Sequence, residues 1–291
     1  MNLCSPKSIF EWMKWGEMTL KSKGRPDSAI DAKLLMKHVL GLNETRLLLE
    51  RQKLLKESLQ STYKLLIESR SSGIPLQQLT GIQEFMGLEF IVNEHVLIPR
   101  QDTETLIEEL LEQNKVFSFK RGIDIGTGTG CISVALAHYI PDLTMYAIDI
   151  SEEALKVATK NIQKHELEKR VFTLKSNVLE SYPKEEKVDL IVSNPPYISK
   201  EDVETLMIEV IDHEPRQALT DEGDGLSFYK RISKDAKSYL NEGGVIAYEI
   251  GYNQGKAVTT ILKEEGYSNI KLLKDLSGND RVVTARWHRN E

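Results

Sequence analysis

Apolar residues recur at helical spacing through the first seventy positions of the chain. Ile9, Trp12, Met13 and Leu20 fall near one face, and Ile30, Leu34, Leu35, Val39 and Leu40 repeat the period more clearly. Pro26-Asp27 separates these two segments and Gly41 stops the second. The pattern predicts a third helix over about Thr45–Leu49 and a fourth from about Ser58 to Glu68, closed by Ser71-Ser72-Gly73 and Pro75. Trp12 and Trp15 read as helix–helix packing. Residues 84–98 change character: Phe85, Leu88, Phe90, Val92, Val96 and Ile98 are bulky and partly alternate around Asn93-Glu94, which predicts a β-hairpin.

From about residue 104 strand and helix patterns alternate. Gly122–Ile125, Leu143–Ile150, Val171–Leu174, Val188–Ser193 and Gly244–Ile250 are short apolar runs. Helical stretches near 131–139, 151–165, 226–240 and 254–265 separate most of them. Such repetition implies a parallel sheet covered on both faces. Ile270–Leu273 and Arg281–Trp287, joined through Gly278-Asn279-Asp280, predict an antiparallel hairpin at its edge. The expected organisation is an α-helical bundle over 1–82, a hairpin linker over 83–99 and an α/β domain over 100–291.

The length of 291 residues suits two domains, and 40% apolar with 28% charged residues is ordinary for a globular chain with a real core. No run of about 18 apolar residues exists, so no membrane span is expected. Met1–Ser8 lacks the features of a secretory leader. Cys4 and Cys131 give no disulfide framework and fit a reducing cytoplasm. The net charge of −6 is uneven. Residues 1–82 hold 13 Lys and Arg against 8 Asp and Glu, a balance of +5, and the remainder carries −11. The basic part reads as a solvated helical surface, and its sign would also suit an acidic partner.

The first candidate site is Asp124-Ile125-Gly126-Thr127-Gly128-Thr129-Gly130, between a predicted strand and a predicted helix. Glycines let a backbone turn tightly and approach a ligand, and a helix N-terminus adds free N–H groups. Cys131 stands where the dinucleotide pattern would need glycine, and no phosphate-loop Gly-Lys-Ser/Thr is present. An acidic residue two before the first of three alternating glycines resembles motif I of class I methyltransferases, whose carboxylate side faces the cationic methionine end of S-adenosylmethionine. Asp149 ends the next strand, 19 residues after Gly130, where a carboxylate can accept from both ribose hydroxyls. Asn177-Val178, after the third strand, falls where class I enzymes often contact adenine; many have Asp at the place of Asn177.

The second candidate site is Asn194-Pro195-Pro196-Tyr197-Ile198, directly after the fourth strand. Two prolines stop the strand and stiffen a loop aimed at the crevice. An amide or adenine –NH2 nitrogen has its lone pair delocalised and is a poor nucleophile. It needs acceptors for its two hydrogens, in positions that favour a pyramidal nitrogen. The Asn194 side-chain oxygen and the Pro195 carbonyl fit that need, and Tyr197 can stack on the flat group. Catalysis would be mainly orientation and electrostatic fit. Asn-Pro-Pro-Tyr resembles the [Asn/Asp/Ser]-Pro-Pro-[Tyr/Phe] signature of amino methyltransferases.

A narrower resemblance runs almost end to end. Its carriers are Asp31-Ala32-Lys33-Leu34-Leu35, His38-Val39-Leu40-Gly41, Pro75–Gly81 with Glu84-Phe85, and Leu97–Glu104. The glycine loop, Asn194–Ile198, Glu214-Pro215 with Ala218-Leu219, Asp224-Gly225-Leu226 and Gly278–Arg281 complete them. The chain resembles the bacterial release factor glutamine methyltransferases, the protein-(glutamine-N5) methyltransferases of PrmC/HemK type. Gln101 replaces a proline usual there, and Glu222 a glycine.

The resemblance implies a class I methyltransferase domain of Rossmann-like α/β fold and an N-terminal helical bundle that binds the substrate. It implies S-adenosylmethionine as methyl donor, S-adenosylhomocysteine as product, and the glutamine of the Gly-Gly-Gln loop of class I peptide chain release factors as acceptor. Asn194, Pro195, Pro196 and Tyr197 would hold that glutamine; Gly126–Gly130, Asp149, Val178 and Asn194 would line the cofactor. Arg100 and Glu104 are expected near the cofactor or substrate entrance. A cytoplasmic monomer without membrane contact, direct nucleic-acid binding or metal is expected. The six histidines show no paired ligand spacing, and Cys131 reads as a packed thiol. The alternative is an adenine-N6 methyltransferase acting on DNA or RNA, which would flip out a base and need a basic track. The −11 of residues 83–291 argues against it.

Overall fold

The structure is a computed structural model and describes residues 8–289. Cys4 and most of Met1–Ser8 lie outside the described residues. The chain divides after Gly81 into two compact units.

The first unit is helical: α1 (Ile9–Ser22), α2 (Ser28–Leu40), α3 (Glu44–Glu50), α4 (Glu57–Ser72) and α5 (Leu76–Thr80). A reciprocal cap starts α1, with Ser8 Oγ accepting from the Glu11 amide and Glu11 Oε2 accepting from the Ser8 amide. Trp12 meets Trp15 and Tyr63 edge-on, with centroids 5.3 and 6.3 Å apart, so the tryptophans pack between helices as expected. Gly16 lets α1 approach α4, because a Cβ there would lie 2.4 Å from the Tyr63 hydroxyl. Arg70 on α4 donates to Asp31 on α2 at 2.7 Å, a buried pair that ties the bundle. The short α5 was not foreseen; Pro75 opens it and Gly81, at φ 74°, ends it.

The second unit opens with the hairpin β1 (Ile82–Phe85) and β2 (Leu88–Ile91). Its turn is Met86-Gly87, not the expected Asn93-Glu94. Both residues take positive φ, 53° and 72°, a demand met here by contacts rather than by a turn-favouring pair. Glu104 accepts from the Met86 amide, Glu84 from the Gly87 amide, and the Tyr139 hydroxyl donates to the Met86 carbonyl.

A 3₁₀ turn, Gln101–Thr103, leads into α6 (Glu104–Phe117). There follow β3 (Arg121–Ile125), α7 (Cys131–Tyr139), β4 (Thr144–Asp149), α8 (Glu152–Lys164), β5 (Val171–Lys175) and β6 (Val188–Ser193). Three short helices come next: α9 (Lys200–Val203), α10 (Ile208–His213) and α11 (Arg216–Leu219). The chain closes with α12 (Ser227–Ala236), β7 (Leu240–Glu249), α13 (Gly255–Glu264), β8 (Ser268–Lys274) and β9 (Asp280–Arg286). The sheet order is β5-β4-β3-β6-β7-β9-β8. β3 to β7 pair in parallel; β9 runs antiparallel to both β7 and β8. This is the expected mostly parallel sheet with an antiparallel C-terminal hairpin.

Alternate residues of the central strands feed opposite faces. Leu190 and Val192 on β6 join one core with residues of α6, α7 and α8, while Ile191 joins another with residues of α12 and α13. The chain leaves β3 toward β4 on one side and β6 lies on the other, so a crevice opens at the carboxyl ends of β3 and β6. Among the described residues no helix is long and apolar enough to cross a membrane.

Candidate active site

The glycine loop divides by task. Gly126 and Gly128 take φ of 72° and 52°, and a Cβ on either would meet nothing within 4 Å. Both line a crevice that opens to solvent. Gly130 does not line it. A Cβ there would come within 3.2 Å of Ala158, so this glycine brings α7 close to α8. Thr127 and Thr129 are also turned inward: Thr127 Oγ1 donates to Asp124 Oδ2 at 2.5 Å, and Thr129 Oγ1 accepts from the Cys131 amide. They shape the loop.

Asp124 is wholly buried. Its Oδ2 accepts from Thr127 and Ser133, while Oδ1 has no partner among the described residues. Burial, opposed by those hydrogen bonds, pushes its carboxyl up to about 6. An orphaned buried carboxylate oxygen behind an open glycine turn is a place where a cation gains most. Cys131 beside it is buried and its thiol is pushed up to about 12 by burial, so it is no nucleophile at neutral pH.

Asp149 ends β4 at the crevice. Its Oδ2 accepts from the Gly128 amide and its Oδ1 from the Ser151 amide, both at 2.9 Å, which fixes the carboxylate at the rim. Val178 lines the crevice with φ of 60°, a strained setting for a β-branched residue. With Ile150, Phe228 and Ile232 it makes an apolar slot suited to a flat ring. Asn177 also lines the crevice; its side-chain oxygen accepts from Arg231 at 2.8 Å and its nitrogen donates to Glu180, which fixes the carboxamide at the rim.

The Asn-Pro-Pro-Tyr loop is held from beneath. Ser193 Oγ donates to the Ile125 carbonyl, joining the ends of β6 and β3. Asn194 is half-buried and lines the crevice with Pro195 and Pro196. Its Nδ2 donates to Thr103 Oγ1 at 3.4 Å, and Thr103 donates to Glu249 Oε2 at 2.5 Å. Gln254 donates to the Tyr197 and Gly225 carbonyls and accepts from the Gly251 amide. Gly225 lies so close that a Cβ would sit 2.1 Å from the Tyr197 carbonyl oxygen. Burial raises the Tyr197 phenol well above its usual range. Burial also pushes Glu249 up to about 7, against the Thr103 hydrogen bond and the Arg281 charge.

Arg100 and Glu104 turn elsewhere. Arg100 donates to the buried Glu214 at 2.5 Å, so it touches the crevice only through the segment leading to Pro215. Glu104 fixes the hairpin turn. Glu222, where glycine is usual in the resembled family, takes φ of 58° and is held by Arg216 and the Thr220 hydroxyl. Sequence reasoning missed Thr103, Glu249 and Gln254 beneath the loop, and His95, Ile150 and Phe228 along the crevice. For Glu249 one signal was available, its place at the carboxyl end of the strand beside β6.

The residues fit S-adenosylmethionine: two glycines without side chains, a rim carboxylate, an apolar slot and an orphaned carboxylate oxygen. Comparisons with known proteins point the same way. The family Methyltransferase small domain matches residues 100–242, and PrmC N-terminal domain matches 11–81. A release factor glutamine methyltransferase of Bacillus subtilis is 40% identical over 291 residues, covering 98% of this chain and 100% of that protein. One of Fusobacterium nucleatum is 42% identical over 268 residues, covering 92% of this chain and 75% of that protein. The hMettl16 catalytic domain, solved in complex with a 3'UTR hairpin, shares the fold at TM-score 0.57 and 19% identity, covering 78% of this chain and 82% of that one. Sheet order, crevice and relatives agree: the chain is an S-adenosylmethionine-dependent methyltransferase and belongs to the release factor glutamine methyltransferase family.

Proposed function

We propose that this enzyme methylates the side-chain amide nitrogen, N5, of the glutamine in the Gly-Gly-Gln loop of class I peptide chain release factors. The observation that carries the reading is the Asn194 carboxamide. Its nitrogen is committed to Thr103, which leaves its oxygen for a ligand at the mouth of the crevice. The curated relatives at 40–42% identity carry the name of that activity.

The bound cofactor supplies an electrophilic methyl on sulfur. Gly126 and Gly128 would admit it, Asp149 would accept from its ribose, and Val178 with Ile150 would enclose its adenine. Asp124, buried behind the glycine turn, would place negative charge on the side of the cationic methionine end. Asn194 Oδ1 and the Pro195 carbonyl accept the two amide hydrogens of the glutamine, which draws its lone pair out of conjugation. Pro196 keeps the loop rigid and Tyr197 covers the flat amide. Bound there, the cofactor would supply the methyl, and the amide nitrogen held by Asn194 and Pro195 would release its proton to water. No strong base is needed before transfer, so catalysis rests on placement and hydrogen-bond fit. The helical unit ending at Gly81 recognises the release factor.

The test incubates the pure protein with labelled S-adenosylmethionine, a release factor, its Gln→Ala loop variant and duplex DNA. Label on the release factor alone is expected. Equal label on the Gln→Ala variant, or label on DNA, rejects the reading.

A further inference from the structure

Asn194 can do its work only with the carboxamide the right way round. A carboxamide presents an acceptor at one end and donors at the other. With the oxygen toward the crevice it accepts from a substrate –NH2; turned over, it presents its own –NH2 to that group and repels it. Nothing in the Asn-Pro-Pro-Tyr sequence decides between the two orientations.

The decision comes from a chain of two further residues. Thr103 ends the 3₁₀ turn before α6 and is 3% exposed; Glu249 ends β7 and is 1% exposed. A hydroxyl has one proton and two lone pairs, and an ionised carboxylate only accepts. Facing the ionised Glu249 at 2.5 Å from Oε2, the Thr103 hydroxyl donates its one proton there. Its oxygen is then only an acceptor toward Asn194, so it takes the nitrogen end, at 3.4 Å. We propose that Thr103 and Glu249 are positioning residues that fix the Asn194 carboxamide with its oxygen toward the substrate nitrogen. This rests on the amide-methylation reading of the site and explains what holds its key residue in register.

The device has a built-in proton sensitivity. If Glu249 takes up a proton it can donate to Thr103, whose proton is then free to attract the oxygen of Asn194 and turn the amide over. Every element packed on Glu249 affects that step. From the 3₁₀ turn come Thr103 and the Asp102 charge; from the loop after β6, the Tyr197 hydroxyl; from β9, Arg281, itself paired with Asp102 and Asp275. From α7 comes Cys131, and from α12 the Tyr229 hydroxyl, which donates to the Glu249 backbone carbonyl at 2.9 Å. Burial is the largest influence and favours the neutral acid; Thr103 and Arg281 favour the anion.

The experiment measures kcat and the KM for S-adenosylmethionine from pH 6 to 9, with release factor as acceptor. The proteins are wild type, Glu249→Gln, Thr103→Ser and Thr103→Val, each checked for folding and cofactor binding. Wild type is expected to lose kcat as pH falls through about 7, while the KM for S-adenosylmethionine changes only a few-fold, and that near pH 6. Glu249→Gln is expected to lose that acid limb, whatever its plateau, because an amide does not titrate. Thr103→Ser, which keeps the hydroxyl, should retain kcat within about threefold, and Thr103→Val should lose about tenfold or more, as a misaimed group does. A wild type without an acid limb, a limb that persists in Glu249→Gln, or equal kcat for Ser and Val at 103 would overturn the inference. A wild type that leaves the release factor unlabelled rejects the amide-methylation reading, and this inference with it.

Discussion

The two loops that face the crevice are built by opposite means. The glycine loop after β3 offers its ligand almost no side-chain atoms. Its open positions, Gly126 and Gly128, are spaces, and its polar residues, Thr127 and Thr129, bond inward to hold the turn. The Asn-Pro-Pro-Tyr loop after β6 offers a side chain and backbone carbonyls. It stays in place because Thr103, Glu249, Gln254 and Gly225, from four other segments, press against it. A loop that only has to bind can be specified locally, by residues that leave room. A loop that has to aim a hydrogen bond at a reacting atom needs support from the rest of the fold.

If that division is right, changes in the two loops should separate turnover from affinity. The largest effect is expected for Asn194→Ala. Steady-state kinetics should show kcat lowered about 100-fold or more, the cost of losing one transition-state hydrogen-bond partner, with cofactor binding by calorimetry retained. Near-normal turnover would break the comparison at its stronger end. Gly225→Ala touches neither ligand, yet its new Cβ would collide with the Tyr197 carbonyl. It should lower kcat by a few tens-fold, short of the ~100-fold that a full 1 Å misplacement can cost, while cofactor affinity changes little.

Gly128→Ala should do the reverse. The space is open but φ is 52°, so the backbone strain of about 1–2 kcal/mol for a non-glycine residue should weaken cofactor binding by roughly tenfold. Saturating cofactor should restore turnover; a persistent loss of kcat would mean that the glycine loop also aims.

The smallest effect sharpens the affinity side. Asp124 is raised to about 6 from an ordinary 3.8. Between those values the folded free protein holds a proton that the unfolded chain has released, so this group's contribution to stability falls as pH rises through that window. A bound cation favours the anion. S-adenosylmethionine should therefore bind a few-fold more tightly as pH rises through about 6, and Asp124→Asn should flatten the dependence in calorimetric titrations.

The same contrast governs what was legible in the sequence. β6 was readable to the residue because its apolar run ends at a proline pair, and α7 because a glycine turn opens it. That Gly126, Gly128 and Asp149 share one crevice was readable because their places follow from local spacing along consecutive elements. The hairpin turn was misplaced because Met86 carries no turn signal. Its left-handed φ is imposed by Glu104, Glu84 and Tyr139, and only the fold brings the first and last of these there. Glu104 was accordingly assigned to the ligand entrance when its carboxylate serves the hairpin. That Asn177 is held at the crevice by Arg231, 54 residues later, was not readable from its own neighbourhood. Thr103 and Glu249 were invisible as a pair because they stand 146 residues apart, and their meaning lies in facing one another beneath Asn194.

The most direct test is a crystal structure of the enzyme with S-adenosylhomocysteine and a Gly-Gly-Gln peptide, at a resolution that assigns amide orientations. The account predicts the glutamine side-chain nitrogen within about 3.2 Å of both Asn194 Oδ1 and the Pro195 carbonyl, with Asn194 Nδ2 still on Thr103. A glutamine bound elsewhere, or an Asn194 carboxamide presenting its nitrogen to the substrate, would contradict it.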